Sequence, residues 1–275
     1  MRHSPDADTD HQETLPNFPI NASVIVAPPA SCNPDTLYSI MQPLTLQCYS
    51  PDGDRNMDIN AALERLNSLL PLKQRQDLLD PELRNLHRAI LEGFCRDGKP
   101  LSREQLAAQL GNEAVDSALQ QLAADDLVVL TPEQQLVGAY PFTAEERVHR
   151  VLVNGHTVHA MCALDALSVA PMFNTATRVD SRCHVSDAPI EVHMQGGELL
   201  SALPADPYVG IRWQGTSGCA AQSLCLDMLF LRDRETAVAW QQEDIANMSI
   251  FDMPAAVAFG AAFFTPLLQD QADAL

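Results

Sequence analysis

The chain has 275 residues, of which 46% are hydrophobic and 19% charged, which is enough apolar material for a sizeable core and about two domains. Its 17 Lys and Arg face 36 Asp and Glu, giving a formal net charge of −19. A surface this acidic repels phosphate backbones and anionic lipid, so we expect neither nucleic acid nor a membrane as a partner. The start of the chain lacks a secretory pattern and the seven cysteines form no CxxC pair, which predicts a cytoplasmic protein with mostly free thiols.

Residues 1–57 are predicted to form a partly flexible tail, because they are rich in Pro, Asp and Asn and show little periodicity. Two short stretches within the tail, 22–28 and 44–49, have the composition of strands. From residue 58 the pattern becomes helical, with apolar residues at helical spacing before Pro71 and again after Pro81.

Residues 58–139 are predicted to form a helical, winged-helix-like module. Ser102 and Gln105 form a capping box that opens a helix ending at Gly111, and a second helix follows over 112–124. Two strand-like stretches on either side of Pro132 then supply the wing. DNA binding is one interpretation of this order of elements. We favour a packing module, because the chain is acidic and the second helix contains no Lys or Arg.

Residues 140–275 are predicted to form the second domain. It opens with a hairpin around Asn154-Gly155, the strongest short turn signal in the chain. The remaining predicted elements are a helix at 162–169, strands near 177–179, 190–193, 208–213 and 226–231, and helices at 236–242 and 254–268. Because helices and strands do not alternate regularly, we expect an α+β fold: a core of mixed, mainly antiparallel sheets with helices, on which the N-terminal helical module packs.

Cys162 and Asp165 form the most informative pair in the sequence. Three residues apart in a predicted helix, they share one face, and their neighbours are almost all apolar. Apolar surroundings raise the pKa of a carboxyl, which would let Asp165 hold and deliver a proton near neutral pH. A helix N-terminus would favour a Cys162 thiolate and burial would oppose it. From spacing alone, a small buried thiol with Asp165 at the surface or as a cap is the more common arrangement.

The wider pattern resembles the organomercurial (alkylmercury) lyase family, often called MerB-like. The segments that carry the resemblance are Ala-Met-Cys162-Ala-Leu-Asp165-Ala-Leu, Val-Asp-Ser-Arg-Cys183, Cys225 before an apolar strand ending at Phe230, and Ala-Val-Ala-Trp240. It covers residues from about 80 to 270, in the family's order and at comparable spacing. The tail over 1–57 has no family counterpart. The resemblance implies a winged-helix-like module that packs beside the catalytic core without reading DNA.

The resemblance also implies a reaction and its residues. Cys162 and Cys225 stand at the positions of the two catalytic cysteines and Asp165 at that of the proton donor, so these three residues would hold the mercury of substrate and product. Cys183 matches a cysteine with a structural role, and Cys219 is the alternative to Cys225. The implied reaction is protonolysis of the carbon–mercury bond, without an organic cofactor or permanent metal. Cellular thiols or mercuric reductase would then accept the Hg(II).

A different class of function also fits the cysteines. A non-catalytic protein that binds a soft metal such as mercury or copper, or a thiol sensor on the same fold, would keep the thiols without turnover. The sensor interpretation requires a basic recognition face, which the predicted second helix lacks. Replacing Asp165 with Ala distinguishes enzyme from binding protein, because cleavage needs the proton donor and binding does not.

Overall fold

A computed structural model describes residues 58–215 and 217–269, all within one compact unit of the chain. The strands predicted at 22–28 and 44–49 lie outside the described residues. The described part begins with five helices: α1 Ile59–Leu69, α2 Leu72–Leu78, α3 Pro81–Asp97, α4 Arg103–Leu110 and α5 Val115–Ala124.

The helix boundaries follow the capping signals in the sequence. The Asp80 side chain accepts a hydrogen bond from the backbone N–H of Leu83 at 2.9 Å and so caps α3, which begins at a proline. The predicted capping box of Ser102 and Gln105 is confirmed at the start of α4. Gly111 ends α4 with a positive φ of 81°, a conformation that glycine adopts without steric penalty. The winged-helix assignment and the domain boundaries stay predictions.

The larger sheet has eight strands, and every pairing in it is antiparallel. Its strands are β1 Val129–Leu130, β2 Leu136–Ala139, β3 Phe142–Thr143, β4 His149–Val153, β5 His156–Ala160, β6 Ala176–Arg182, β7 Pro189–Gln195 and β8 Glu198–Leu203, in the order β1-β2-β3-β5-β4-β6-β7-β8. The predicted hairpin is confirmed as β4–β5, whose turn residues Asn154 and Gly155 both have positive φ. Two positive φ values are what a two-residue type I′ turn requires.

A second sheet of three antiparallel strands follows in the order β10-β9-β11. It consists of β9 Tyr208–Arg212, β10 Met228–Leu231 and β11 Met248–Asp252, and the remaining helices are α6 Ala163–Phe173, α7 Arg234–Gln241 and α8 Met253–Phe264. The α+β fold with antiparallel sheets is therefore confirmed. The strand predicted from residue 226 begins only at Met228, because Leu224–Asp227 forms a 3-10 helix.

Helix α6 lies in the centre of the core. It packs against α8, against β4, β5 and β6 of the larger sheet and against β10 of the smaller one. Nine of its eleven residues are buried, and a helix buried on all sides belongs to the interior. The position of α6 is therefore fixed by core packing. Within the part of the chain that the structure describes, no helix is long and apolar enough to cross a membrane.

Candidate active site

Cys162 lies at the junction between strand β5 and helix α6. It is the residue that precedes α6, with an extended backbone (φ −150°), and its sulfur accepts a hydrogen bond from the backbone N–H of Asp165 at 3.3 Å. The prediction that both residues lie inside one helix is therefore wrong for Cys162. The cap brings the thiol to the first turn of α6, so the two side chains are neighbours nevertheless.

Cys225 completes a three-residue cluster with Cys162 and Asp165. It lies in the 3-10 helix Leu224–Asp227, directly before β10. The two sulfurs and a carboxylate oxygen of Asp165 all lie within 4.8 Å of one another. Cys162 is only 1% exposed, Asp165 2% and Cys225 4%. Among the described residues this is the one group of three such side chains close enough to share a metal ion.

The Asp165 carboxyl is poised to carry a proton. Burial raises its pKa from 3.8 to about 7, against the opposing effect of hydrogen bonds with Cys162. Its Oδ2 atom is buried and finds no hydrogen-bond partner in the described part of the chain. The alternative of a surface-exposed Asp165 is excluded by this burial. A general acid needs a pKa in this range and an oxygen free to face the substrate.

Both thiols of the cluster have raised pKa values. Burial raises the pKa of Cys162 well above its ordinary value, and hydrogen bonding to Cys225 acts in the same direction. For Cys225, the hydrogen bond from Cys162 lowers the pKa, but burial and the nearby Asp165 carboxyl outweigh it and the net shift is upward. Both shifts favour the neutral thiol over the thiolate, as expected for a buried cysteine.

A cavity of about 280 Å³ adjoins the cluster at Cys225. Met161 and Met228 also line it, together with His149 and Cys183. Cys183 lies outside the three-residue cluster. Burial raises the pKa of its thiol, but hydrogen bonds from Ser186 and nearby backbone groups outweigh this effect and lower the pKa below its ordinary value. Its structural role stays a prediction. Two arginines, Arg147 and Arg182, also line the cavity, so its wall combines sulfur and apolar groups with charged ones. A cavity of this size with thiol and thioether groups in its wall suits a small molecule that carries a soft metal.

The other cysteines of the described chain have different surroundings. The sulfur of Cys219, the alternative to Cys225, lies 3.4 Å from the hydroxyl of Tyr140 and outside the cluster. Cys95 contacts the amide of Asn154. Tyr140 in turn donates a hydrogen bond to Asp126 at 2.9 Å. No local sequence pattern marks this pair or Met228, because their partners are distant in the chain.

The comparisons with known proteins agree with the geometry. Residues 142–265 match the family described as alkylmercury lyase. The alkylmercury lyase of Staphylococcus epidermidis is 26% identical over 157 residues, which cover 56% of this chain and 70% of the relative. That of Streptomyces lividans is 23% identical over 158 residues, 58% of this chain and 72% of the relative.

A solved structure shows the same fold. The mercury-bound form of MerB2 has a TM-score of 0.61 and 24% sequence identity, and the alignment covers 72% of this chain and 98% of that one. The order of cysteines, the cluster and these matches lead to one conclusion. Residues 142–265 resemble the alkylmercury lyases, a family of enzymes, and the resemblance that the sequence predicted is confirmed over this range.

Proposed function

We propose that the protein is an organomercurial lyase that cleaves the carbon–mercury bond by protonolysis. The observation that carries this proposal is the buried cluster of Cys162, Cys225 and Asp165, whose carboxyl pKa is raised to about 7, beside a cavity of about 280 Å³. Mercury(II) is a soft ion that prefers sulfur ligands, so the two thiols supply its binding site. A site that only bound mercury would have no use for a buried carboxyl that holds its proton to about pH 7.

The reaction balances with these three side chains. The organomercurial R–Hg–X enters beside Cys225, and mercury replaces the thiol protons of Cys225 and Cys162 as the leaving group X departs with one proton. Asp165 gives its proton to the carbon atom and, in the same step, takes the second thiol proton, which has no other acceptor. The Hg–C bond breaks, the hydrocarbon R–H leaves, and Hg(II) stays bound to two thiolates. Two thiolates enrich electron density on the Hg–C bond and so assist protonation of the carbon.

The chemistry needs no organic cofactor or resident metal, because the mercury is substrate and product. Cellular thiols or mercuric reductase accept the Hg(II). The protein acts in the cytoplasm, and neither nucleic acid nor a membrane is its partner. The helical module at 58–139, winged-helix-like in its order of elements, packs beside the catalytic part, and Cys183 serves the structure.

The direct test is the release of benzene from phenylmercury in the presence of excess small thiol. We expect repeated turnover in the natural protein and loss of benzene in Cys162→Ser. Cys95→Ser is the matched control, since Cys95 is also buried but contacts Asn154 away from the cluster. Mercury binding without benzene release would show a soft-metal binding protein instead of a lyase.

A further inference from the structure

We propose that Met228 is a third sulfur ligand of the mercury held by Cys162 and Cys225. The thiol of Cys162 and the thioether sulfur of Met228 lie 3.7 Å apart, and both residues are buried. This inference rests on the proposed function, because it adds a ligand to the same site. Met228 would then contact the mercury of both substrate and product.

Met228 lies where the cavity meets the buried thiol. It is the first residue of β10 and comes three positions after Cys225, and both residues line the cavity. Cys162 is not among the cavity-lining residues of the described chain, yet its sulfur contacts Met228. Met228, like Cys225, therefore connects the cavity wall with the sulfur of Cys162.

The hydrogen-bond geometry of the thiol indicates where the metal will lie. Cys162 has a single thiol proton, and its possible acceptors include the sulfurs of Met228 and Cys225. Mercury replaces that proton when it binds, so it occupies the region towards which the S–H bond points. The groups that accepted the proton, a thioether and a thiol, are both donors that a soft metal prefers.

A thioether suits this position better than another thiolate would. It is neutral, so it adds a soft ligand without adding a negative charge to a site that already buries Asp165 and two cysteines. It is also a weaker ligand than a thiolate, and Hg(II) can still be passed to an external thiol. Methionine more often only fills space in a core. Leucine fills nearly the same volume without a sulfur, which makes Met228→Leu the decisive variant.

The chain supplies a matched control in Met248. Both methionines are 3% exposed, and each is the first residue of a strand that pairs with β9. Met248 packs in the smaller hydrophobic cluster and is absent from the cavity wall. Met248→Leu therefore removes a buried thioether from the same sheet without changing the site. Thermal unfolding of Met228→Leu and Met248→Leu shows whether the two variants are equally stable.

X-ray absorption at the mercury edge of the full-length protein, loaded with Hg(II), tests the proposal. We expect two short and one longer Hg–S contact in the natural protein and in Met248→Leu, and only the two short contacts in Met228→Leu. Release of Hg(II) to excess small thiol should be at least about tenfold faster in Met228→Leu, since even the loss of a group that only supports a metal ligand commonly lowers metal affinity by about 10–100-fold.

The outcomes separate this inference from the proposed function. Two sulfur contacts in the natural protein, with unchanged release from Met228→Leu, would overturn the role of Met228 while leaving the two-cysteine site intact. A protein that binds no Hg(II) at all would overturn both. The measurement on the natural protein decides the number of ligands even if Met228→Leu does not fold.

Discussion

The sulfur of Cys162 accepts a hydrogen bond from the backbone N–H of Asp165, so the thiol that we propose as a mercury ligand also caps the helix that carries the proposed proton donor. The N-terminus of a helix has a partial positive charge, which stabilises the negative charge that the sulfur acquires when mercury replaces its proton. The same hydrogen bond fixes the separation of thiol and carboxyl. Ligand and acid are therefore positioned by one local structure.

Replacing Asp165 with Asn separates proton delivery from metal binding. The amide has nearly the same shape but no acidic proton, so we expect benzene release from phenylmercury to fall by at least about 100-fold. Binding of Hg(II) should remain within about tenfold of the natural protein, because both thiols are intact. Rates are measured by benzene release and binding by competition with a chelator.

A matched control for this variant is Asp227→Asn. Asp227 lies in the same 3-10 helix as Cys225, and burial raises the pKa of its carboxyl as well, but the residue is outside the cluster. We expect its variant to cleave phenylmercury at nearly the natural rate. Cleavage by Asp165→Asn at the rate of this control would show that another group supplies the proton.

Asp165 should also make the stability of the protein depend on pH. The folded protein keeps this proton up to a pKa of about 7, whereas the unfolded chain loses it near the ordinary value of 3.8. Between these values the folded state binds more protons, so the free energy of unfolding falls as the pH rises. At 1.36 kcal/mol per pKa unit the fall amounts to at most about 4 kcal/mol.

Urea unfolding of the natural protein and of Asp165→Asn at pH 5 and pH 8 checks this dependence. From pH 5 to pH 8 we expect the free energy of unfolding to fall more in the natural protein than in Asp165→Asn. The buried His87 and His149, whose pKa values burial lowers to about 4 and about 3, are present in both proteins and cancel in the difference. A difference in stability that does not change with pH would contradict the raised pKa of Asp165.

The features that the sequence predicted correctly depend on residues close together in the chain. The hairpin at Asn154-Gly155, the capping box of Ser102 and the Cys-x-x-Asp pair all follow from local geometry. The exposed edge strand β8 and the strand β11 were missed. β8 has no clean alternation of apolar and polar residues, and β11 is buried along four of its five positions, so neither shows the period of a half-buried strand.

Predicting the candidate site from the sequence requires information about residues that are distant in the chain. The meeting of Cys225 with Cys162 was predicted only through the family resemblance, because no local pattern relates residues so far apart. The contact of Met228 with the Cys162 thiol depends on how β10 packs against α6, and the sequence shows only a methionine in an apolar run. Side-chain packing between elements thus decides the parts of the site that spacing cannot predict.

Tyr140 should hold the segment that leads to Cys225. Its hydroxyl donates to the Asp126 carboxylate and accepts from the backbone N–H of Ala221, both at 2.9 Å, and Asp126 also accepts from the N–H of Ala220. Tyr140→Phe removes the hydroxyl that the buried N–H of Ala221 uses as acceptor, and we expect a loss of about 1–3 kcal/mol in the free energy of unfolding. Because Cys225 follows within a few residues, kcat/KM should fall as well.

Two measurements distinguish positioning from general destabilisation in Tyr140→Phe. Urea unfolding gives the folded fraction under assay conditions, and kcat/KM is then expressed per folded molecule. We expect a decrease beyond the loss of folded protein, accompanied by weaker Hg(II) binding. A natural kcat/KM per folded molecule would show that Cys225 is placed independently of Tyr140.

The close approach of α8 to α6 depends on Gly260. A Cβ atom at this position would overlap the hydroxyl oxygen of Ser168, which donates a hydrogen bond to the carbonyl of Leu164 at 2.6 Å inside α6. We expect Gly260→Ala to lower the free energy of unfolding by about 1–3 kcal/mol, as overpacking in a core does. Removing the hydroxyl with Ser168→Ala should relieve the overlap, so the double variant should be more stable than Gly260→Ala alone.

A double-mutant cycle measured by urea unfolding tests this contact, because residues that touch give non-additive changes in stability. Gly197→Ala is the control, since a Cβ there meets no atom within 4 Å in the described structure. Strict additivity of the Gly260 and Ser168 changes would mean that the two helices adjust without this overlap. Since α6 begins next to Cys162 and carries Asp165, we also expect Gly260→Ala to slow benzene release and the double variant to recover part of the rate.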